Sequence, residues 1–291
     1  MGPDVHRDDG SIVCMSSQST NTLQSFNGTI ALAGAGKMGG AMLTGWLSGG
    51  LEAQRVVVIE PSPSPEIAAL TARGIRLNPA ASDIGALETL VVAVKPQSFR
   101  EAGATLKSIT GPTTLLVSIM AGATIASIAE VCGGAVVRAM PNTPAAIGRG
   151  ITVAVAAKNV STAQRTVADA LLRATGAVEW IDDETLMDAV TAVSGSGPAY
   201  VFLLAEELAR AGVEAGLPAE LATRLARETV AGSGELLRRS ETSSATLRQN
   251  VTSPGGTTAA ALEVLMGADG MRPLMTRAIA AATKRSKELA K

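Results

Sequence analysis

The sequence predicts an α/β fold, in which a doubly wound, mostly parallel sheet is followed by an all-α C-terminal region. Between residue 28 and about residue 183, short apolar runs alternate with segments of helical periodicity. The runs are continuously apolar rather than alternating, which is typical of strands covered by helices on both faces. Beyond residue 183 every periodic segment has helical spacing, so the second part of the chain is expected to contain no strand.

Seven strands are predicted in the first region, because seven short runs rich in β-branched residues are bounded by glycine, proline or polar turns. They cover residues 29–34, 55–60, 74–77, 89–94, 113–120, 134–141 and 150–157. A helix is expected after the first strand, where Met38, Met42 and Trp46 recur at a spacing of four, and another between Ser161 and Gly176. Such alternation is typical of parallel strands joined by helical crossovers.

The second region contains five segments of helical periodicity. They cover residues 184–193, 199–216, 217–239, 257–267 and 271–290. These helices are rich in Ala and Leu and short of polar outer faces, so we expect them to be buried against a second copy of the chain. The predicted organisation is a disordered tail at 1–27, an α/β domain at 28–183 and an all-helical domain at 184–291.

Composition and charge exclude several classes of protein. The net charge is −1, and 46% of the 291 residues are hydrophobic although only 2% are aromatic. This charge gives no electrostatic footprint for nucleic acid, and no apolar run reaches the roughly 18 residues that span a bilayer. With only Cys14 and Cys132, a disulfide framework is not expected, and a reduced cytoplasmic protein is the simpler interpretation.

The predicted tail, residues 1–27, is polar and lacks the apolar core of a secretory signal. It holds His6, which is the only histidine of the sequence. Histidine is the commonest general acid–base residue at neutral pH. Its confinement to the tail makes dehydrogenases with a catalytic histidine poor candidates, and no histidine-based metal site is expected.

The stretch GAGKMG, residues 34–39, has the pattern G-x-G-x-x-G between a predicted strand and a predicted helix. In this context Gly34 permits a tight turn, Gly36 lets a pyrophosphate approach the backbone, and Gly39 allows the helix to pack closely on the strand. We therefore interpret residues 28–183 as a Rossmann-type dinucleotide-binding domain. The alternative is a plain glycine turn with no ligand.

The end of the second predicted strand bears on the choice of coenzyme. Glu60 stands where an acid would accept hydrogen bonds from the adenosine ribose hydroxyls, which favours NAD. Ser62 and Ser64 follow, and they are suited to a 2′-phosphate, although a carboxylate beside that phosphate is repulsive. Either NADPH or NADH remains open, and Glu60 as a solvated strand end is the alternative without a ligand.

Three further turns follow successive predicted strands, at the edge where open α/β sheets bind ligands. They are AVKPQ (93–97), SIMAG (118–122) and MPNTPA (140–145). Lys95 is a candidate catalytic acid or coenzyme ligand, with a solvated side chain as the alternative. The amide of Asn142 suits a nicotinamide neighbourhood, although a structural role in a proline-flanked turn is the commoner one.

Two motifs of the helical half complete the candidates. SGSGPAY, residues 194–200, either brings backbone close to a ligand or packs two helices together, while Glu184 is a candidate partner for a cationic ligand group or simply an acid favoured by the helix dipole. QNVTSPGGTTAAALEVL, residues 249–265, places bare backbone before a helix, where unpaired amides point outward. We expect Gly255, Gly256 and Thr257 to hold a small anion there.

The motifs GAGKMG, AVKPQ, MPNTPA, SGSGPAY and NVTSPGGTTAAAL, in that order, resemble those of pyrroline-5-carboxylate reductases. The resemblance covers residues 28 to about 290, and its last motif is the most specific. It implies reduction of Δ1-pyrroline-5-carboxylate to proline with NADPH or NADH. It also implies a homodimer formed through interlocking helical domains, which in this family often assembles into decamers, a pentamer of dimers.

The resemblance also implies residue roles. The pyrophosphate would lie on Ala33, Gly34, Ala35, Gly36, Lys37 and Met38. The nicotinamide half of the coenzyme would lie near Ala93, Val94, Lys95, Pro96, Met120 and Ala121. Asn250 would touch the coenzyme from the helical domain, Thr257 and Thr258 would bind the substrate, and Glu184 would lie near its ring nitrogen across the dimer interface. Glu60 departs from the small polar residues that some members have at this position.

A small cyclic imine with one carboxylate fits these candidates. The amides before the helix at Thr257 would hold the carboxylate, and Thr258 would hydrogen-bond the imine nitrogen as an orienting donor or proton relay. Two alternatives stay open. One is a β-hydroxyacid-dehydrogenase-like oxidoreductase using Lys95, although that class usually carries its lysine on the helical domain. The other is an NAD(P)-sensing protein without turnover.

Overall fold

A computed structural model of the protein describes residues 23–289, and its core is one sheet of eight strands. The strands are β1 Ile30–Ala33, β2 Val56–Ile59, β3 Arg76–Leu77, β4 Thr89–Val92, β5 Leu115–Ser118, β6 Ala135–Met140, β7 Gly150–Ala156 and β8 Gly176–Trp180. Their order across the sheet is β3-β2-β1-β4-β5-β6-β7-β8. The chain thus starts in the middle of the sheet, winds to one edge and then to the other, as in a doubly wound fold.

The neighbouring strands are parallel except for β6 and β7, which run antiparallel. This confirms the predicted fold class and all seven predicted strands. The sequence missed β8, for a physical reason. It lies at the edge of the sheet, and only Val178 of its five residues is buried, so the continuous apolar run that marks the central strands is absent.

Helices cover both faces of this sheet. In the α/β part they are α1 Lys37–Ser48, α2 Pro65–Ala69, α3 Ala81–Ile84, α4 Pro96–Ile109, α5 Ile125–Cys132 and α6 Thr162–Arg173. One core cluster joins α1 and α6 to one face, and the Nε1–H of Trp46 donates to the carbonyl of Leu171 at 2.8 Å between them. A second core cluster joins α4 and α5 to the opposite face.

The start of the folded part corrects the predicted tail. Leu23 and Phe26 are buried, and both belong to the core cluster that contains α1. Disorder is therefore a wrong prediction for residues 23–27, because two apolar side chains spaced by three residues anchor the segment to the core. Residues 1–22, with His6 and Cys14, lie outside the described residues.

The chain from residue 187 onward is helical. Its helices are α7 Met187–Val190, α8 Gly197–Glu214, α9 Ala219–Arg239, α10 Ser244–Asn250, α11 Thr257–Leu265 and α12 Met271–Leu289. The predicted helical segments are confirmed, and α10 was missed because its seven residues, SATLRQN, carry a single large apolar side chain. Within residues 23–289, no helix is both long and apolar enough to cross a bilayer.

The helices α8 to α12 leave large apolar side chains uncovered. In the single chain, Phe202 is 67% exposed, Leu236 is 65% exposed and Val264 is 76% exposed. Many large apolar side chains exposed on neighbouring helices usually mark an interaction surface. The observation agrees with the predicted burial of these helices against a second copy of the chain.

Cys132, the last residue of α5, provides a first test of the packing. It is buried, and burial raises the pKa of its thiol against the smaller opposing effect of the Lys107 charge. A raised pKa lowers the thiolate fraction at neutral pH. In a Cys14→Ser background, we expect a disulfide reagent to modify Cys132 at least about 100-fold more slowly in the folded protein than in urea. Equal rates in the two states would contradict the burial.

Candidate active site

The glycine-rich turn between β1 and α1 has the three properties that its motif predicted. Gly34 has φ = +90°, in the region that favours glycine. A Cβ on Gly39 would stand 2.1 Å from the carbonyl oxygen of Gly34, so only glycine permits this close packing. A Cβ on Gly36 would meet no atom within 4 Å, which leaves the backbone open on that side.

The amides of this turn are suited to bind an anion. Ala35 donates to the Oε2 atom of Glu60 at 2.9 Å, and the first bond into α1 runs from the amide of Gly40 to the carbonyl of Gly36 at 2.7 Å. Within residues 23–289, the amides of 36–39 have no acceptor, and α1 begins without a side-chain cap. Free amides at the N-terminus of a twelve-residue helix fit a pyrophosphate.

These residues open into a cavity of about 690 Å³. It is lined by Ala33, Gly34, Gly36, Ile59, Glu60, Pro61, Ser62, Ala93, Val94, Lys95, Ser98, Glu101, Ala102, Thr105 and Leu106. The cavity thus brings together eight residues that the sequence predicted as coenzyme contacts. All of its lining comes from the carboxyl ends of β1, β2 and β4 and from α4, which is the edge of the sheet where such folds bind nucleotides.

Three other predicted coenzyme residues lie at a second cavity, of about 720 Å³. Pro96, Met120 and Ala121 line it together with side chains of α4 and α5 and with Leu289 from the end of α12. Pro96 directly follows Lys95 of the first cavity, so the turn after β4 contributes to both. The C-terminal helix therefore reaches the α/β part of the same chain at this point.

Asn142 has a structural role in the single chain, and one glycine of the segment 194–200 packs against the sheet. The Oδ1 atom of Asn142 accepts from the amide of Ile151 at 2.9 Å, which fixes the turn after β6. Thr191–Gly195 form a turn of π-helix, and a Cβ on Gly195 would stand 2.5 Å from the Cε of Met140. The first finding favours the structural alternative for Asn142. A Cβ on Gly197 would meet no atom within 4 Å, so both alternatives for the segment 194–200 stay open. The coenzyme role of Asn142 stays a prediction.

Glu184 lies at the junction of the sheet and the helices. Its Oε1 atom accepts from Nη1 of Arg138 and from the amide of Ile125, each at 2.8 Å. The Arg138 side chain, on β6, is only 6% exposed. The sequence missed Arg138, although a cation inside an otherwise apolar strand indicates a buried charge that needs a partner. In the single chain, Glu184 thus serves as that partner.

Removing the Glu184 carboxylate is expected to destabilise the fold, because it leaves the Arg138 charge buried and unpaired. We predict that Glu184→Ala lowers the free energy of unfolding by about 3 kcal/mol, measured by urea denaturation. The double variant Arg138→Met with Glu184→Met should lose less, since it leaves no unpaired charge. A single variant as stable as the unchanged protein would contradict this role. Contact of Glu184 with a substrate nitrogen stays a prediction.

The second predicted anion site lies at the start of α11. Gly256 precedes the helix without a side-chain cap, and the first helical bond runs from Ala260 to the carbonyl of Gly256 at 3.2 Å. Gly255 has φ = +68°. Within the described chain, the amides of Gly255, Thr257 and Thr258 have no acceptor, so they remain available to an anion.

One member of this predicted site needs correction. The amide of Gly256 donates to the carbonyl of Ser253 at 3.0 Å, closing the turn before the helix, so it is not free for a ligand in this structure. The coenzyme cavity is not lined by Thr257 or Thr258 of the same chain. Nor is it lined by Asn250, the last residue of α10. None of the residues of α11 is buried. The single chain therefore does not bring the two anion sites together.

Comparison with known proteins identifies both parts of the chain. A family model for pyrroline-5-carboxylate reductase dimerisation matches residues 184–289. A model described as NADP oxidoreductase, coenzyme F420-dependent, matches residues 29–122. The pyrroline-5-carboxylate reductase of Pseudomonas aeruginosa is 40% identical over 266 residues, which cover 90% of this chain and 96% of that protein. The Synechocystis enzyme of the same name is 45% identical over 70% of this chain and 76% of its own.

Solved structures agree with this assignment. A pyrroline-5-carboxylate reductase from Coxiella burnetii superposes with a TM-score of 0.84 at 35% identity, covering 91% of this chain and all of that one. The Plasmodium falciparum pyrroline carboxylate reductase, solved with NADP bound, superposes with a TM-score of 0.75 at 30% identity, covering 91% and 99% of the two chains. On sequence and fold together, the chain belongs to the pyrroline-5-carboxylate reductase family.

Proposed function

We propose that this protein reduces the C=N bond of Δ1-pyrroline-5-carboxylate to give proline, the last step of proline biosynthesis. The observation that carries the proposal is the pair of bare helix N-termini, one in each part of the chain. The first, at 36–39, fits the pyrophosphate of NADH or NADPH, and the second, at Thr257, fits one carboxylate. The relatives named above are reductases of this substrate by name.

The coenzyme, when bound, supplies the hydride. The chain's own residues bind and orient the imine. The amides of Thr257 and Thr258 hold the carboxylate by hydrogen bonds and by the helix dipole, which contributes about 0.3–1 kcal/mol when exposed and up to about 2 kcal/mol when partly buried. The Thr258 hydroxyl donates a hydrogen bond to the imine nitrogen, which makes the neighbouring carbon a better hydride acceptor. Because a threonine hydroxyl has a high intrinsic pKa, Thr258 serves as an orienting donor or a proton relay and is not the source of the proton.

A second copy of the chain is part of the proposal. In the single chain, α11 does not line the coenzyme cavity, and α8 to α12 expose large apolar side chains. A homodimer through residues 184–291 would bury these helices and bring α11 of one protomer toward the coenzyme cavity of its partner. We expect an assembly of at least two chains in solution, and a pentamer of dimers as its largest closed form. A cytoplasmic location likewise stays a prediction.

The proposed function is tested by following the absorbance of the reduced coenzyme. The full chain is mixed with pyrroline-5-carboxylate and either NADH or NADPH, and the loss of absorbance is compared with formation of proline. We expect one proline for each coenzyme oxidised. Binding of coenzyme with no oxidation of either form in the presence of the imine would favour the sensing protein instead.

A variant of Lys95 distinguishes the proposed reaction from the second alternative, a β-hydroxyacid-dehydrogenase-like reaction. Lys95 is exposed, directly precedes α4 and lines the coenzyme cavity. If Lys95 were the acid of a β-hydroxyacid-dehydrogenase-like reaction, Lys95→Met would abolish turnover. In the proposed reaction the residue only contacts coenzyme, so the variant should retain kcat and raise the KM of the coenzyme modestly, within about tenfold.

A further inference from the structure

We propose that Glu60 makes this enzyme select NADH over NADPH. The inference rests on the proposed function and deepens it, because the motifs of the chain leave the coenzyme open. Glu60 directly follows β2 and lines the coenzyme cavity, at the position where Rossmann-type domains bind the adenosine ribose. The two coenzymes differ only at this ribose, where NADPH carries a 2′-phosphate and NADH a hydroxyl.

Two backbone amides hold the carboxylate of Glu60 in the structure. Its Oε2 atom accepts from the amide of Ala35 at 2.9 Å, and its Oε1 atom accepts from the amide of Ser62 at 3.1 Å. One carboxylate offers about four lone-pair sites, so both oxygens keep capacity for a ribose hydroxyl. The bond to Ala35 also ties the carboxylate to the turn that holds the pyrophosphate.

The backbone of Glu60 is held as well. Asn78 accepts from the Glu60 amide at 2.8 Å through Oδ1 and donates to the Glu60 carbonyl at 2.9 Å through Nδ2. Among the described residues, Asn78 is the only non-glycine with positive φ, at 48°. Asparagine tolerates this conformation better than most side chains. Together these hydrogen bonds with Ala35, Ser62 and Asn78 favour the observed position of Glu60 at the ribose site over one turned away from it.

The charges around the cavity give a 2′-phosphate little compensation. Among the described lining residues, Glu60 and Glu101 are anionic and Lys95 is the only cation. Lys95 stands at the end of β4, two strands away from the end of β2. The Oγ atom of Ser64 accepts from the amide of Ile67 as the cap of α2, so it is engaged in the helix start. A diol donates to the Glu60 carboxylate, whereas a phosphate is repelled by it.

The test compares coenzyme selectivity in the full chain and in matched variants. We expect kcat/KM for NADH to exceed that for NADPH at least about tenfold, which corresponds to about 1.4 kcal/mol. Glu60→Gln keeps the size of the side chain and should remove most of this ratio through the KM of the coenzyme. Glu179→Gln, exposed on the edge strand β8 and outside this cavity, should leave the ratio within about twofold of the unchanged protein. An equal shift in both variants would overturn the assignment to Glu60.

A binding measurement tests the inference without turnover. Titration calorimetry of the unchanged protein and of Glu60→Gln with 5′-AMP and with 2′,5′-ADP, two nucleotides that differ only by the 2′-phosphate, separates the ribose contact from the reaction. Tighter binding of 5′-AMP than of 2′,5′-ADP, with a ratio that falls in Glu60→Gln, supports the inference even if the imine is not reduced. Equal or tighter binding of 2′,5′-ADP, no binding of either nucleotide, or a higher kcat/KM for NADPH overturns it.

Discussion

Replacing Thr258 by alanine is expected to lower kcat by about 10²- to 10⁴-fold, the range of a positioned acid–base group, with little change in the affinity for coenzyme. In the proposed reaction, the Thr258 hydroxyl activates the imine by donating to its nitrogen. The residue is half-buried in the second position of α11, and its side chain caps nothing there. The variant should therefore fold normally, so that its rate reports on chemistry rather than stability.

The matched control for this prediction is Thr258→Ser, which keeps the hydroxyl and removes a methyl group. It should retain kcat within about tenfold of the unchanged enzyme. Thr257→Ala is a second comparison, because that side chain is exposed and its backbone amide, which survives the change, is the proposed carboxylate ligand. Turnover of Thr258→Ala like that of the unchanged enzyme would remove Thr258 from the mechanism.

A methyl group on Gly36 is expected to weaken coenzyme binding, whereas a methyl group on Gly39 is expected to lower the stability of the fold. Gly36→Ala adds an atom that meets nothing in the protein, at an ordinary φ of −67°, so the fold should be unaffected. That atom occupies the side from which a pyrophosphate approaches, so the KM and the dissociation constant of the coenzyme should rise at least about tenfold. The measurement is a titration with coenzyme beside a urea denaturation curve.

Gly39→Ala is the counterpart, because its methyl group would collide with backbone. A Cβ there stands 2.1 Å from the Gly34 carbonyl oxygen, and α1 must move away from β1 to admit it. We expect a loss of about 1–3 kcal/mol or more in the free energy of unfolding. Normal coenzyme affinity in Gly36→Ala, together with normal stability in Gly39→Ala, would contradict the geometry of the turn.

The layered fold was predictable because burial on two faces makes a strand continuously apolar. That signal is strong for β1, β2 and β4, and it fails for β8, where edge exposure leaves one buried side chain. The glycine spacing of 34–39 likewise predicted a local geometry that depends on few residues. Local patterns of this kind transfer directly from sequence to structure.

Contacts between residues distant in sequence were not predictable in the same way. The bond of Glu184 to Arg138 spans 46 residues, and the bond of Asn78 to Glu60 spans 18. No spacing rule marks either pair. The engaged amide of Gly256 depends on the exact turn around Ser253. The sequence therefore indicated which residues surround the site, whereas the structure was needed to see which of their groups are already engaged.

The most direct test of the central claim is a crystal structure of the assembled protein with oxidised coenzyme and proline. The claim predicts that the proline carboxylate lies about 2.9 Å from the amides of Thr257 and Thr258. It also predicts that the proline Cδ, the carbon that was part of the C=N bond, lies within about 3.5 Å of the nicotinamide carbon that carries the hydride. A structure in which proline binds elsewhere, or in which these two sites stay apart in every pairing of subunits, would contradict the claim.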